Sequence, residues 1–361
     1  MRYSRPQLVA ALAALTSVLA MGAVPAGADT PASGFPPAGS QDYVYSKVDF
    51  EKARQAARAR DELARLTGNA DEKAPERARA INDHVREAQA HGDHVKAANV
   101  EYVDIDRGFA LILPRDVQVE KVKFTRQVRY RGEGAAKEWQ SEFSATVESQ
   151  EPRLTATPLT PETPVGETAV AASPTWGAGA PLFAATFTAI INGQGRLTGN
   201  VEKYKLQNDG NSTYDFFDYY RWGTATPTDP QHYVAGFYLR NYPDAATQSK
   251  ISYHKYSPYS GYNEYCGEIN ASLSWYASIG GTFYAACQSY NPQISGNGDY
   301  ALVMGHNGTD SLTRGIEFNN GIRVPQGFNP NTRNSMSLVM KNYWGNSWQC
   351  VADNTSRTCY P

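Results

Sequence analysis

Apolar residues alternate with smaller or polar ones through Phe183, Ala185, Phe187, Ala189 and Ile191, a period of two that predicts a half-buried β-strand. Similar segments follow at Arg196–Leu206, Tyr233–Arg240, Lys250–Tyr256, Leu273–Ile279, Phe283–Tyr290, Tyr300–His306 and Met336–Trp344. Clusters such as Asn208-Asp209-Gly210 and Gly296-Asn297-Gly298 separate them as turns. Short strands punctuated in this way predict an all-β sandwich or open barrel over 177–361. The spacing is too irregular for a propeller or solenoid.

The first half follows a different period. Lys47–Leu66 is rich in Ala, Arg and Glu and closes on Thr67-Gly68-Asn69, which predicts a helix and its end. A second helix is expected from Ala74 to His91, stopped by Gly92. The apolar side chains of this pair, Val48, Ala57, Leu63, Leu66, Ile81 and Val85, are too few for a core of their own. The helical hairpin should therefore dock on the segments that follow it. These are Val100–Leu113 and Val117–Tyr130, turned at Pro114-Arg115-Asp116, with Trp139–Val147 as a third strand. The predicted fold is two-domain: a small α+β N-terminal region, a helical hairpin plus short antiparallel strands, followed by an all-β sandwich or open-barrel domain.

Composition sharpens the boundary. Residues 29–153 carry 20 basic and 22 acidic side chains, whereas the longer stretch 154–361 carries 12 and 14. Tyrosine runs the other way, with 18 of 23 in the second stretch. Between them, 151–176 holds Pro152, Pro158, Pro161, Pro164 and Pro174 among Thr, Ala and Gly, a composition that favours extended, solvated chain. The expected organisation is a signal peptide over 1–28, a flexible segment over 29–45, and a charged α+β domain or pro-segment over 46–150. A Pro/Thr linker over 151–176 then leads to a disulfide-containing all-β domain over 177–361.

Arg2 and Arg5 precede an apolar run from Leu8 to Met21, and Ala26-Gly27-Ala28 supplies small residues for cleavage. That run is too short to span a bilayer comfortably, so export with removal of 1–28 is expected, and the mature protein is placed outside the cell. The whole chain has a net charge of −2, and loss of the two arginines leaves −4, so no basic field exists to hold nucleic acid. A mean hydropathy of −0.52 rules out a polytopic membrane protein, and no stable membrane insertion is expected after processing. Four cysteines, Cys266, Cys287, Cys350 and Cys359, suit two disulfides in an exported chain, most simply 266–287 and 350–359.

Catalytic motifs are weak. GxSxG and HExxH are absent, and no cysteine pair has zinc-like spacing, so no metal or cofactor is expected. His84, His91 and His94 lie near Asp83 and Asp93, but Gly92 interrupts any shared helix face. Carboxylate pairs for glycoside hydrolysis are sought at Asp215 with Asp218 and at Glu264 with Glu268. Lys121, Lys123, Arg126, Arg129 and Arg131 along one strand read as a solvated face. The distinctive feature is aromatic. Tyr214, Phe216, Phe217, Tyr219, Tyr220 and Trp222 share nine residues, and Tyr253, Tyr256, Tyr259, Tyr262 and Tyr265 recur every third position among Ser, Gly and Asn. Rigid rings with adaptable polar neighbours suit a binding surface, and stacking on sugar rings is a natural use.

The sequence therefore points to a secreted, non-enzymatic protein that binds an extracellular glycan or cell-surface partner through Trp222, Tyr256, Tyr259 and Tyr262. A secreted hydrolase with an N-terminal pro-segment and a secreted developmental or signalling protein are the alternatives. One local expectation is sharper. A three-residue loop, Gly280-Gly281-Thr282, should pair Ile279 with Phe283 and Trp275 with Cys287, packing Trp275 beside a Cys266–Cys287 disulfide in the core.

Overall fold

The computed structural model describes residues 38–68, 71–106, 108–131, 138–152, 175–177, 180–344, 349–352 and 357–360. The expected signal peptide and most of the linker lie outside the described residues. In chain order the first elements are β1 (Gly39–Ser46), α1 (Lys47–Thr67), α2 (Ala74–Ala90), β2 (Val100–Asp106), β3 (Phe109–Pro114), β4 (Gln118–Arg131), β5 (Glu138–Gln150) and β6 (Thr175–Trp176). Next come β7 (Phe183–Ile191), β8 (Gly195–Gln207), β9 (Tyr214–Pro227), β10 (His232–Pro243), α3 (Ala245–Gln248), β11 (Tyr253–Ser257) and β12 (Tyr262–Asn270). The chain ends with β13 (Leu273–Ser274), β14 (Ser278–Ile279), β15 (Thr282–Ile294), β16 (Tyr300–Gly305), β17 (Arg314–Pro325), β18 (Thr332–Trp344), β19 (Gln349–Ala352) and β20 (Arg357–Tyr360).

The fold is a small N-terminal helix-and-strand region followed by a large antiparallel β body that is not closed into a barrel. One sheet runs β1-β4-β5-β18-β10-β16-β15-β12, and the other runs β11-β17-β9-β8-β7-β3-β2. Both have free edges, since neither order returns to its first strand. A single core cluster draws on both sheets, including Phe124, Val147, Phe187, Val201, Phe237, Phe318 and Leu338. Alternation explains it. In β5, Phe143, Ala145 and Val147 are buried while Ser144, Thr146 and Glu148 are half-exposed, so one face of the strand lines the core.

The composition boundary does not separate two cores. β5 pairs with β18, placing Ala145 opposite Leu338, and β3 pairs with β7, placing Leu111 opposite Ala189. Strands from either side of 151–176 thus share both sheets, and 38–361 forms one compact unit. Even the start of the linker is anchored: Glu151 is buried, lies 3.4 Å from Lys203 Nζ, and accepts from the Thr332 backbone N–H at 2.8 Å. Within the segment read as loose, residues 39–45 are held, because β1 pairs along β4 from Gly39↔Val128 to Ser46↔Lys121.

Both predicted helices form. Ser46 and Asp49 make a reciprocal capping box at the start of α1, and Gly68 ends it at φ 70°, where a glycine meets no Cβ penalty. Docking differs from the expected apolar contact. Val48, Leu63 and Leu66 are exposed, while Phe50, Arg54 and Ala57 are buried. Arg54 Nε lies 2.6 Å from Glu101 Oε1, and Arg58 Nε lies 2.7 Å from Glu101 Oε2, so two arginines clamp α1 to β2. The long arginine stems cover apolar surface while their heads meet one buried carboxylate.

Candidate functional site

The tyrosine-rich segment becomes a graded shelf between the edge strands β11 and β12. Its base is core: Tyr300 and Tyr290 are buried, and the Tyr300 hydroxyl donates to the Pro258 carbonyl at 2.7 Å, pinning the loop after β11. Tyr256 is half-buried and stacks on Tyr300 with ring centroids 5.1 Å apart and planes 27° apart. Tyr259 follows at 5.2 Å from Tyr256, and Tyr262 lies 5.1 Å from Tyr265 and 5.2 Å from Tyr290. At the top, Tyr259 is 61% and Tyr262 47% exposed. These rings are not spent on the core.

Between them lies a groove of about 450 Å³, lined among others by Tyr259, Tyr262, Tyr265, Glu268, Asn270 and Ser272. Ser257 Oγ donates to the Asn270 carbonyl at 3.3 Å, tying the end of β11 to the end of β12. The Tyr265 hydroxyl donates to the Glu268 carbonyl at 3.1 Å, which fixes that ring against its own strand. The groove therefore combines rigid aromatic walls with a carboxylate, an amide and hydroxyls. That mixture can stack on an apolar ring face and hydrogen-bond its rim.

A disulfide braces the outer side of the shelf. Cys266 and Cys287 are bonded, with Cα atoms 4.2 Å apart. Pairing of β12 with β15 shifts register between Tyr262 and Tyr265 and again between Tyr265 and Gly267. Cys287 adopts φ 50° and Gly267 φ 145°, so the crosslink sits at an irregular, exposed part of the ladder rather than in the core. Cys350 and Cys359 lie opposite one another on β19 and β20; their side chains lie outside the described residues.

The expected hairpin at Gly280-Gly281 is not formed. Ile279 pairs with Leu273, and Phe283 pairs with Ile269 of β12. Gly280 turns at φ 102°, and the Ala271 N–H donates to the Gly281 carbonyl at 2.8 Å, closing a separate small hairpin of β13 and β14. Trp275 packs against Phe216, with centroids 4.8 Å apart, and Tyr253, not against the disulfide.

Trp222 does not line the groove. It points to the outer face of β9, is 2% exposed, and is covered by His91, whose ring stacks on it at 3.9 Å and 16°. The same outer face receives α2. His84 Nδ1 lies 2.6 Å from Thr188 Oγ1, and Glu87 accepts from Thr198 at 2.9 Å and also from Thr224. His84 and His91 thus meet different strands, β7 and β9, and among the described residues no group of three acidic, histidine or cysteine side chains could hold a metal ion. Burial, with Arg196 nearby, pushes His84 down to about 4.

Neither carboxylate pair shares one site: Glu268 lines the groove without Glu264, and Asp215 and Asp218 differ in surroundings. Asp215 meets Lys205 at 2.9 Å, whereas Asp218 is fully buried without a hydrogen-bond partner, and burial holds its carboxyl well above the usual carboxylate range. Sequence reasoning missed a further acidic group on the outer face of β8. Burial and a hydrogen bond to Asp93 raise the Glu202 carboxyl above its ordinary range, while the Tyr204 hydroxyl donates to it at 2.6 Å. No local pattern announces that contact, because Asp93 reaches it from the loop after α2.

No family model matches the chain, and no curated protein matches it. Among solved structures it is similar to Clostridium perfringens delta-toxin, at 9% sequence identity over 64% of this chain and 92% of that chain, with a TM-score of 0.26. A likeness of that size supports no statement about activity.

Proposed function

We propose that this protein is a secreted, non-enzymatic binding protein whose tyrosine groove holds an extracellular glycan or a glycan-bearing cell-surface partner. The observation that carries the reading is the exposure of Tyr259 and Tyr262 beside a polar groove, over rings already fixed by Tyr290 and Tyr300. Leaving about half of each ring in water forgoes part of the roughly 1.5–3 kcal/mol that full burial of a large apolar side chain is worth, so their placement favours a use for the exposed faces. Tyrosine presents such a face at low entropic cost because few torsions need be fixed on binding. Export follows from the leader-like first 28 residues.

Binding without hydrolysis is favoured by the acid inventory of the groove. Glu268 is its one carboxylate among the lining residues, whereas two flanking carboxylates carry ordinary glycoside hydrolysis. Among the described residues no helix is long and apolar enough to cross a membrane. The test is retention of the full secreted chain on insoluble neutral and acetylated polysaccharides, with and without Tyr259→Ala and Tyr262→Ala. Retention of the parent that disappears in the double variant supports the groove. Equal retention of both proteins, or release of reducing ends from the polysaccharide, would sink the reading.

A further inference from the structure

A second aromatic surface lies on the outer face of the other sheet. In β17, Ile322 and Val324 are buried in the core, so Arg323 between them points outward, and its partner Tyr253 on β11 shares that face. The Arg323 guanidinium lies 4.5 Å from the centroid of the Tyr214 ring and 5.6 Å from that of Tyr253. Two residues along β11, the Lys255 ammonium lies 5.8 Å from the Trp275 ring, and Trp275 meets Tyr253 edge-on at 5.6 Å. The β13–β14 hairpin can settle here because Gly321 has no side chain. A Cβ at that position would fall 2.9 Å from Trp275 Nε1 and 3.0 Å from Leu273. From the tip of the same hairpin, Tyr276 stands on Phe216 at 5.3 Å.

The surface is open and positively charged. Tyr253 is 52% and Tyr276 54% exposed. Arg323 donates to Ser252 Oγ at 2.9 Å and Lys255 to the Ser274 carbonyl, and among the described residues neither meets a carboxylate. Beneath them Asp218, opposite Gly321, is buried and partnerless, and its raised carboxyl favours the neutral acid, which leaves the two cations uncompensated. Stacking on tyrosine holds the guanidinium plane in a fixed orientation, with hydrogen-bond donors left for an oxyanion.

We propose that this face binds an acidic polysaccharide, whose pyranose rings rest on Tyr253 and Tyr276 and whose carboxylate or sulfate groups pair with Arg323 and Lys255. Cations alone would serve any polyanion; two exposed rings interleaved with them select a chain that is both anionic and ring-bearing. None of these four residues lines the tyrosine groove, so the inference does not rest on that reading.

The test uses immobilised polygalacturonate and the full chain. Retention should weaken in high salt. It should fall about tenfold in the Arg323→Gln, Lys255→Gln double variant and by a similar factor in Tyr253→Ala, Tyr276→Ala, the scale of losing one or two charge-assisted or stacking contacts. Tyr259→Ala, Tyr262→Ala should leave it unchanged. Soluble oligogalacturonate should also protect Lys255 of the unsubstituted protein from acetylation, read by mass spectrometry, a readout that depends on no variant's folding. Unprotected Lys255, or retention that survives the charge substitutions, overturns the proposal. Polyglutamate that binds as tightly, with the tyrosines irrelevant, also overturns it by showing charge to suffice. Loss confined to the Tyr259, Tyr262 variant would assign the acidic polymer to the groove, removing this site while sparing the other.

Discussion

The windows 214–222 and 253–265 are both dominated by aromatic rings, yet the structure treats them oppositely. Phe216, Phe217, Tyr219 and Trp222 are all buried to within 3% of complete, whereas Tyr253, Tyr259 and Tyr262 are exposed. Strand position accounts for the difference. β9 lies inside its sheet between β17 and β8, with the core on one face and α2 or the β13–β14 hairpin on the other. β11 and β12 are the terminal strands of their sheets, so their side chains meet fewer neighbours. The same residue types thus become a core in one place and a candidate binding surface in the other. The buried window relies on packing, while the exposed one is braced by a crosslink.

The largest expected effect probes the packed half. Trp222→Ala removes an almost fully enclosed ring together with its His91 stack, and should lower unfolding free energy by about 3–5 kcal/mol in denaturant titration. A loss of no more than about 0.5 kcal/mol, the scale of a surface change, would break the contrast. On the braced half, replacing Cys266 and Cys287 together by Ala should cost roughly 3 kcal/mol in the chain-entropy model for a loop of this length. Hydrogen exchange should rise in β12 and the neighbouring part of β15 and stay unchanged in α2. Uniformly faster exchange would show that the crosslink serves the whole fold.

Titration separates the halves by a further route. The outer face beneath α2 holds groups that burial keeps uncharged, and they act in opposite directions. His84 falls from 6.5 to about 4 on folding, so below pH 6.5 the unfolded chain takes up a proton that the native chain refuses. Stability should therefore decline as pH drops from 6.5 towards 4, by about 2 kcal/mol at pH 5 for this residue alone, and His84→Gln should remove that component. Glu202 has a raised carboxyl, so the unfolded chain loses its proton first, and stability should decline as pH rises above 4.5. Glu202→Gln should flatten that alkaline-side slope. A pH–stability curve untouched by either substitution would contradict the buried polar layer.

Much of the fold was legible because it repeats a simple period. Lys47–Leu66 and Ala74–His91 come within a residue of α1 and α2, and the turns at Asn208-Asp209-Gly210 and Gly296-Asn297-Gly298 lie between strands as expected. Failures occur where a strand is covered on both faces. Phe216-Phe217 and Tyr219-Tyr220 place large rings at consecutive positions, which erases the alternation that would have marked β9. At Gly280-Gly281 local alternation points to the wrong partner: the chain returns to β12, nearer the Cys266–Cys287 bond, and leaves Leu273–Ile279 to pair with itself. In the candidate site, every-third-residue tyrosines were visible in the sequence. Composition alone groups Trp222 with them, and only α2 crossing the outer face shows why that residue is enclosed.

The smallest expected effect is also the most diagnostic of the exposed half. Tyr259 and Tyr290 are both within the same cluster of rings, but Tyr259 is 61% exposed and Tyr290 only 2%. If exposure marks a ring that the fold does not need, Tyr259→Ala should change stability by no more than about 0.5 kcal/mol, as ordinary surface substitutions do. Tyr290→Ala, which opens a hole beneath Tyr262, Tyr265 and Phe283, should cost several times more, about 3 kcal/mol. Thermal and denaturant midpoints of the two single variants measure the gap directly. Equal costs would mean that the shelf is one cooperative packing unit, and Tyr259 would then have to be counted with the core despite its exposed face.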